Sequence, residues 1–555
     1  MRALACSLLL FAGCSAGTEG LGSPGAPDAP DAGAPDAQAP DAGMGCAILR
    51  GNFQVTNQPD LEALVAADAE CLIIIGSLRL SGDGIVDLRP LSKLVEIDRS
   101  QAQDTSSNGA LSIENAKDLR SLRGLERLAK LEGDLSLFAL RALDDLSALQ
   151  SLRELQGNLS LRVLGHIPDL KPFQGLRRVG KSDAEIGLWL DEILGIRSLD
   201  LDALQEVQGS ISISGNDALE HVAFPRLSRV SGALIIGEGL NGARGNAALR
   251  DVDVPALTTA EDARVVGNAA VTDVRFPKLE ACSSAILARN QALLHSDLHS
   301  LRSVSTLEFA SNPALERIEP MQSLTAVRAN VNLSGMDALV EFSGLSNLTE
   351  VPGNFLVEEN ARLESLEGFP NLRSVGTLRI RRNPSLRPSL AEDFRLRFRH
   401  APSAERTRDE IVNNGRCALG QAYPGSVLIE RTPDLSWIQD CAVIEGDLML
   451  RIDRAGRLDV PEVLALHGSL RIGPTYNVQE IHLSGLSRVD GSLFIDTNLA
   501  LRTLDVAGLR QVGGDLNFNV NPKLSACLPG QLARALRSFG GHILSAGLAP
   551  DPACP

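Results

Sequence analysis

Aromatic residues make up only 3% of the 555 positions, with two Trp and two Tyr. Aliphatic side chains must therefore fill whatever core the chain builds. Positive charge is also short. Lys and Arg number 53 against 69 Asp and Glu, for a formal net charge of −16. That balance argues against nucleic-acid binding, which needs a basic surface to neutralise phosphates. Beyond the first dozen residues no apolar run has the length of a membrane span. The histidines are scattered, and no general acid stands paired with a general base.

What the chain does have is a repeat. Near the C-terminus it reads GDLMLRI from Gly446, GSLRIGP from Gly468, GSLFIDT from Gly491 and GDLNFNV from Gly514, at intervals of 22, 23 and 23 residues. After each Gly comes a polar or small residue, then an apolar, a variable and a second apolar one. The period of two puts Leu448 and Leu450, Leu470 and Ile472, Leu493 and Ile495, and Leu516 and Phe518 on one face of short strands. The same alternation recurs upstream, from Leu78/Leu80 and Leu111/Ile113 to Phe355/Val357 and Leu378/Ile380. One further rung lies near Trp189 in an ambiguous register. A fixed period in the twenties marks a solenoid, in which no repeat buries its apolar face alone and stacking does it.

Beyond several strands stands an asparagine: Asn216, Asn246, Asn268, Asn290, Asn312, Asn360, Asn383, Asn498 and Asn521. Buried at a turn, an Asn donates and accepts to backbone groups of neighbouring rungs, so a structural stack is expected. The segments AFPRLSRVSG from Ala223 and RFPKLEACSS from Arg275 give each repeat more than one short strand, with Gly, Asn and Pro at the corners.

The pattern G-x-L-x-I-x-x-N-x-x-L over most of residues 46 to 526 resembles the receptor L domain of the insulin and epidermal-growth-factor receptor ectodomains. The resemblance implies a β-solenoid, a right-handed parallel β-helix related to leucine-rich repeats, with ligand contact on sheet faces. The array of about thirteen consecutive rungs is longer than one such domain.

Cysteines mark the ends. Cys46 and Cys71 lie 25 apart before Gly76, and Cys417 and Cys441 lie 24 apart before Gly446. Two openings of one design imply two arrays, 46–416 and 417–555, each needing a cap. Cys527 and Cys554 staple the final cap in an oxidising compartment, and Cys282 is left over as a small apolar residue. The pairing is read from spacing, since six cysteines allow fifteen connectivities. Short helices are expected after Pro384 and Pro522, the first carrying a basic spot of Arg395, Arg397, Arg399 and His400 on a solvated face.

At the start, Arg2 and the apolar stretch Ala3 to Phe11 read as a signal segment within residues 1–14. Phe11-Ala12-Gly13-Cys14 resembles a bacterial lipobox, which implies that Cys14 is lipidated. Residues 15–45 hold Pro-Asp-Ala four times and no Lys or Arg, a composition too polar to offset its ordering entropy. Such a linker reaches on the order of 90 Å if extended. Ser15 after Cys14 lacks the Asp that resembles an inner-membrane retention signal, so the outer membrane is expected.

Other chemical signals are weak. Gly237-Glu238-Gly239-Leu240-Asn241-Gly242 spells G-x-G-x-x-G but leads into the next rung rather than a helix, so it reads as an inserted loop. His295 and His299 have i, i+4 spacing in a rung-to-rung connection, with no third ligand. No cofactor or metal site is expected. Ser112, Ser136, Ser160 and Ser212 each occupy the variable position between two inner apolar residues, and this flat polar strip is the candidate binding face. The expected function is a non-enzymatic binding module at a bacterial cell envelope, held to the membrane by its lipid and recognising a protein or envelope ligand. A passive structural or adhesive protein is the alternative, and a β-helix carbohydrate-active enzyme stands behind both.

Overall fold

The main ladder of parallel strands follows the alternation residue by residue. Leu78, Leu111, Leu135, Leu159, Leu188, Ile211, Leu234, Ala263, Ala285, Leu307, Val331, Phe355 and Leu378 stack in register through successive strands. All of these are buried. The structure is a computed structural model, and it describes residues 45–65, 69–99, 109–181, 185–239, 242–398, 410–415, 417, 419–453, 456–460, 463–552 and 554. Cys14 and the linker up to residue 44 lie outside the described residues.

Residues Gly43–Pro555 form one unit of about twenty turns, a parallel β-solenoid. The return half of each coil comes in two kinds. Between residues 198 and 297 it is a second parallel ladder, Ser198–Asp200, His221–Ala223, Asp251–Asp253, Asp273–Arg275 and His295–Asp297. In the earlier coils single 3-10 turns at Arg89–Lys93, Ser147–Leu149 and Lys171–Phe173 take its place. There the spacing of three, as in Leu143, Leu146, Leu149 and Leu152, keeps every leucine inward.

Two side-chain ladders satisfy the corners. After many main strands one residue turns left-handed, as at Arg289 (φ 54°), Ser311 (φ 55°) and Glu359 (φ 57°), and the next residue there is a buried Asn, with Met336 in its place after Gly335. Asn268 shows its role: Oδ1 accepts the Asn246 N–H at 3.0 Å, and Nδ2 donates to the Ile236 carbonyl at 3.0 Å. Asn290 and Asn312 repeat this one rung on each time. A non-Gly left-handed residue costs roughly 1–2 kcal/mol, and hydrogen bonds to otherwise orphaned buried groups offset it. In the first coils Leu140, Leu164 and Ile193 stand at the corner instead, and the Asn ladder begins at Asn216.

The second ladder explains the polar residue after the repeat glycine. Ser426, Asp447, Ser469, Ser492 and Asp515 each accept the backbone N–H of the next rung's equivalent residue, at 2.7–3.1 Å. The glycine before it permits the close approach: a Cβ on Gly468 would lie 2.4 Å from the Gly446 carbonyl carbon.

The solenoid contains two cores, one ending at Phe398 and one beginning at Tyr423. Phe342, Phe355, Phe369, Phe394 and Phe398 close the first, with neighbouring ring centroids 5.1–6.0 Å apart. Phe394 comes from the helix Pro388–Leu396, and a matching helix, Leu528–Ala535, packs on the second core. Backbone pairing nonetheless runs on between them. Ser374–Arg381 pairs with Glu410–Val412, and Val412 bridges to Ser426. Tyr423 donates its hydroxyl to the Asn414 carbonyl at 2.6 Å. Burial holds that phenol above its usual pKa.

Candidate ligand-binding face

The strand Ile186–Ile193 settles the ambiguous rung. Leu188 and Leu190 point inward, and Trp189 faces out in register between Ser160 and Ser212. The outward column therefore reads Arg79, Ser112, Ser136, Ser160, Trp189, Ser212, Ile235. Ser112, Ser136 and Ser160 are half-buried, and Ser112 donates to Glu114, which also pairs with Arg79 at 2.8 Å. Ser212 differs from the expected open strip, being only 2% exposed. Residues 238–239 and 242–245 lie over this part of the face. Gly239 sits so near the sheet that a Cβ would lie 2.7 Å from Ile235 Cγ2. The Arg244 carbonyl accepts the Gly215 N–H at 2.9 Å.

These residues belong to the G-x-G-x-x-G stretch, of which Leu240 and Asn241 lie outside the described residues, and Gly245 leads to the next coil corner at Asn246. A Cβ on Gly237 would meet the Val266 carbonyl oxygen at 1.9 Å, so this glycine serves rung packing. Glu238 pairs with Arg289 at 2.9 Å, and Arg244 with Asp217 at 3.3 Å.

Two residues further along the strands, Phe138, Arg162, Asp191 and Ser214 form the neighbouring outward column. Here the chain places a stack that the linear pattern does not display. The Arg162 guanidinium lies 3.7 Å from the Trp189 ring centroid and 5.4 Å from that of Phe138. Such contacts are worth ~0.5–2 kcal/mol and fix the long side chain. Asp191 stands 3.8 Å from Arg162 and accepts the Ser214 hydroxyl at 2.9 Å. Arg162 Nε is buried without a hydrogen-bond acceptor. Between this stack and the folded-over segment lies a cavity of about 280 Å³, lined by Trp189, Arg162, Asp191, Glu192, Ala243 and Arg244 among others. The second array repeats the pairing in smaller form, with Arg471 4.2 Å from the Phe494 ring centroid.

Of the remaining sequence candidates, His295 and His299 line one open surface pocket with Asp297 and Glu319. His295 lies on the strand His295–Asp297 near Glu319 at 3.8 Å, while His299 follows in the turn and contacts Asp297 at 2.7 Å. Of the basic spot, Arg395 pairs with Glu392 and Arg397 lies over Phe394, whereas Arg399 and His400 are outside the described residues. Cys46–Cys71, Cys417–Cys441 and Cys527–Cys554 are disulfides, and Cys282 is unpaired among the described residues. Cys527, Asp551 and Cys554 come within reach of one ion, but both sulfurs are committed to the disulfide.

A parallel solenoid with a polar sheet face and an aromatic–guanidinium stack on it is the class of protein the structure defines. No family model matches the sequence, and no curated protein is recognisably similar to it. Among solved structures, it is similar to a leucine-rich repeat protein from Bacteroides ovatus at 11% identity, over 63% of this chain and 84% of that one. The TM-score is 0.17, too low to carry any argument about this chain.

Proposed function

We propose that this protein is a lipid-anchored, receptor-L-like envelope protein that binds a ligand, without catalysis, on the outer face of its first array. The observation that carries the reading is the Phe138–Arg162–Trp189 stack beside Ser136 and Ser160, in a chain with only two Trp. Aromatic and arginine side chains are the usual anchors of binding surfaces. Here they stand on a rigid ladder, which lowers the entropy cost of association. The lipobox-like Phe11-Ala12-Gly13-Cys14 and the linker after it support an anchor at Cys14 and a reach away from the membrane.

Pull-down from bacterial envelope material with the 46–555 fragment tests the binding reading. A retained partner that Ser136→Arg abolishes supports it. Equal capture by parent and variant moves the ligand off this face, and no specific capture favours a passive structural or adhesive role. For the anchor, Cys14→Ala is expected to release the protein from membranes, and unchanged detergent partitioning would rule the lipid out.

A further inference from the structure

We propose that the cavity beside Trp189 is a saccharide subsite, taking one pyranose-sized ring of a glycan laid on the outer face of the main ladder. The proposal rests on the binding reading of that face and narrows it to one ligand class.

The chemistry of the walls points there. A pyranose carries an apolar C–H face and a rim of hydroxyls that each donate and accept. Trp189, one ring face of which Arg162 covers, supplies an aromatic wall, and around it stand the carboxylates Asp191 and Glu192 and the guanidiniums Arg162 and Arg244. Carboxylates accept from adjacent hydroxyls and guanidiniums donate to them, both in bidentate fashion. The volume of about 280 Å³ suits one ring and leaves the chain to run along the half-buried Ser160 and Ser136.

The groups are also fixed in advance. Arg162 is held by two rings, Asp191 by the Ser214 hydroxyl, and the roof by the Arg244 carbonyl. Arg162 Nε faces the Asp191 carboxylate at 3.8 Å, which holds the guanidinium in place without using its other N–H donors.

A peptide fits less well. Strand addition needs a free sheet edge, and Ile186–Ile193 is paired on both sides, with Leu159–Leu164 and with Ser210–Ser214. A docked amphipathic helix needs a contiguous apolar groove. Near the stack, Leu194 is the exposed large aliphatic residue among those described.

The test uses the full chain with Trp437→Phe, which leaves Trp189 as its single indole. It is titrated with cellotetraose, chitotetraose and oligogalacturonate, and the Trp189 fluorescence is followed. A saturable change with one of them is expected, weakened about tenfold or more by Trp189→Ala and largely restored by Trp189→Phe in a calorimetric titration. Phe494→Ala, which removes the stack of the second array, is expected to bind like the parent. Circular dichroism confirms that each variant is folded.

In parallel, envelope material is presented untreated, periodate-oxidised to cleave vicinal diols, or protease-digested. Loss of capture on oxidation alone supports the proposal. No fluorescence response to any probe, together with capture that survives oxidation and fails after protease, overturns the saccharide and leaves the binding face standing. Capture indifferent to both Trp189→Ala and Ser136→Arg overturns the face itself.

Discussion

Arg382 reaches the carboxylate of Asp434 at 3.0 Å across the boundary between the two hydrophobic cores. Both side chains are almost fully buried, and Glu430 joins them at 2.7 Å from Arg382. Burial alone would lower the guanidinium pKa, yet the hydrogen bonds to Glu430 and Asp434 outweigh it and the value is raised. Asp434 also caps its own turn by accepting the N–H groups of Glu430 and Arg431 at 3.0 Å. The second array is thus tied to the first by a desolvated ionic joint as well as by the ladder.

Breaking that joint from one side strands a buried carboxylate. Arg382→Met is expected to destabilise the second array by about 3 kcal/mol. In urea it separates from the first, giving two transitions where the parent gives closer ones. Because the pair is buried, 1 M salt does not mimic the mutation. A single unshifted transition in the variant would show that the joint contributes nothing.

The Asn ladder makes a local prediction. Asn268→Ala removes the acceptor of the Asn246 N–H and the donor to the Ile236 carbonyl, both buried. The expected loss is about 2–4 kcal/mol. It is read as faster hydrogen exchange at Asn246 and in neighbouring rungs, with distant coils unaffected because a solenoid couples mainly to neighbours. Uniform acceleration along the chain would contradict that.

Register is tested at adjacent residues. Leu493 is 0% exposed, and Leu493→Asp buries an unpaired carboxylate, which is expected to unfold the second array. Ser492 faces out and accepts the Asp515 N–H at 2.9 Å. Ser492→Ala is therefore expected to cost about 1 kcal/mol. Ser492→Asp keeps an acceptor, as the native Asp447 and Asp515 do, and is expected to cost less. Thermal denaturation of the three variants gives the order directly.

Cys282 carries a pH signature. Burial first, and the charge of Asp262 second, push its thiol up to about 12 from an ordinary 9.0. The folded state thus holds its proton longer than the unfolded chain does. The stabilising contribution is complete below pH 9 and fades as pH rises towards 12. Cys282 is half-buried, and at pH 8 iodoacetamide is expected to modify it far more slowly in the native protein than after unfolding, checked by mass spectrometry with and without denaturant. Rapid native alkylation would contradict the burial.

Much of this was legible in the residue pattern because the coil repeats its own physics. The glycines allow close approach, alternating leucines face inward, and each Asn sits at a corner, all at fixed offsets. The cysteine spacings match single turns, so each pair meets on adjacent rungs. The binding stack was not legible. Ile186 to Ile193 alternates poorly enough that Trp189 reads as inner or outer, and its partners Phe138 and Arg162 come from two other coils. Ser212 misled for a related reason. Its outward position follows from the pattern, but the segment folded over Ile235 comes from the next coil. Likewise the Arg382–Asp434 joint links residues 52 apart through no periodic signal.

The most direct measurement concerns Ser136, which lies on the open part of the face beside Ser160. Ser136→Arg and Trp189→Ala are compared with the parent protein for binding to envelope material by surface plasmon resonance, with unchanged unfolding midpoints as the control. Both variants are expected to fold normally and to lose at least tenfold in affinity. Parent-like binding by both would place the ligand elsewhere and leave the face with only a structural role.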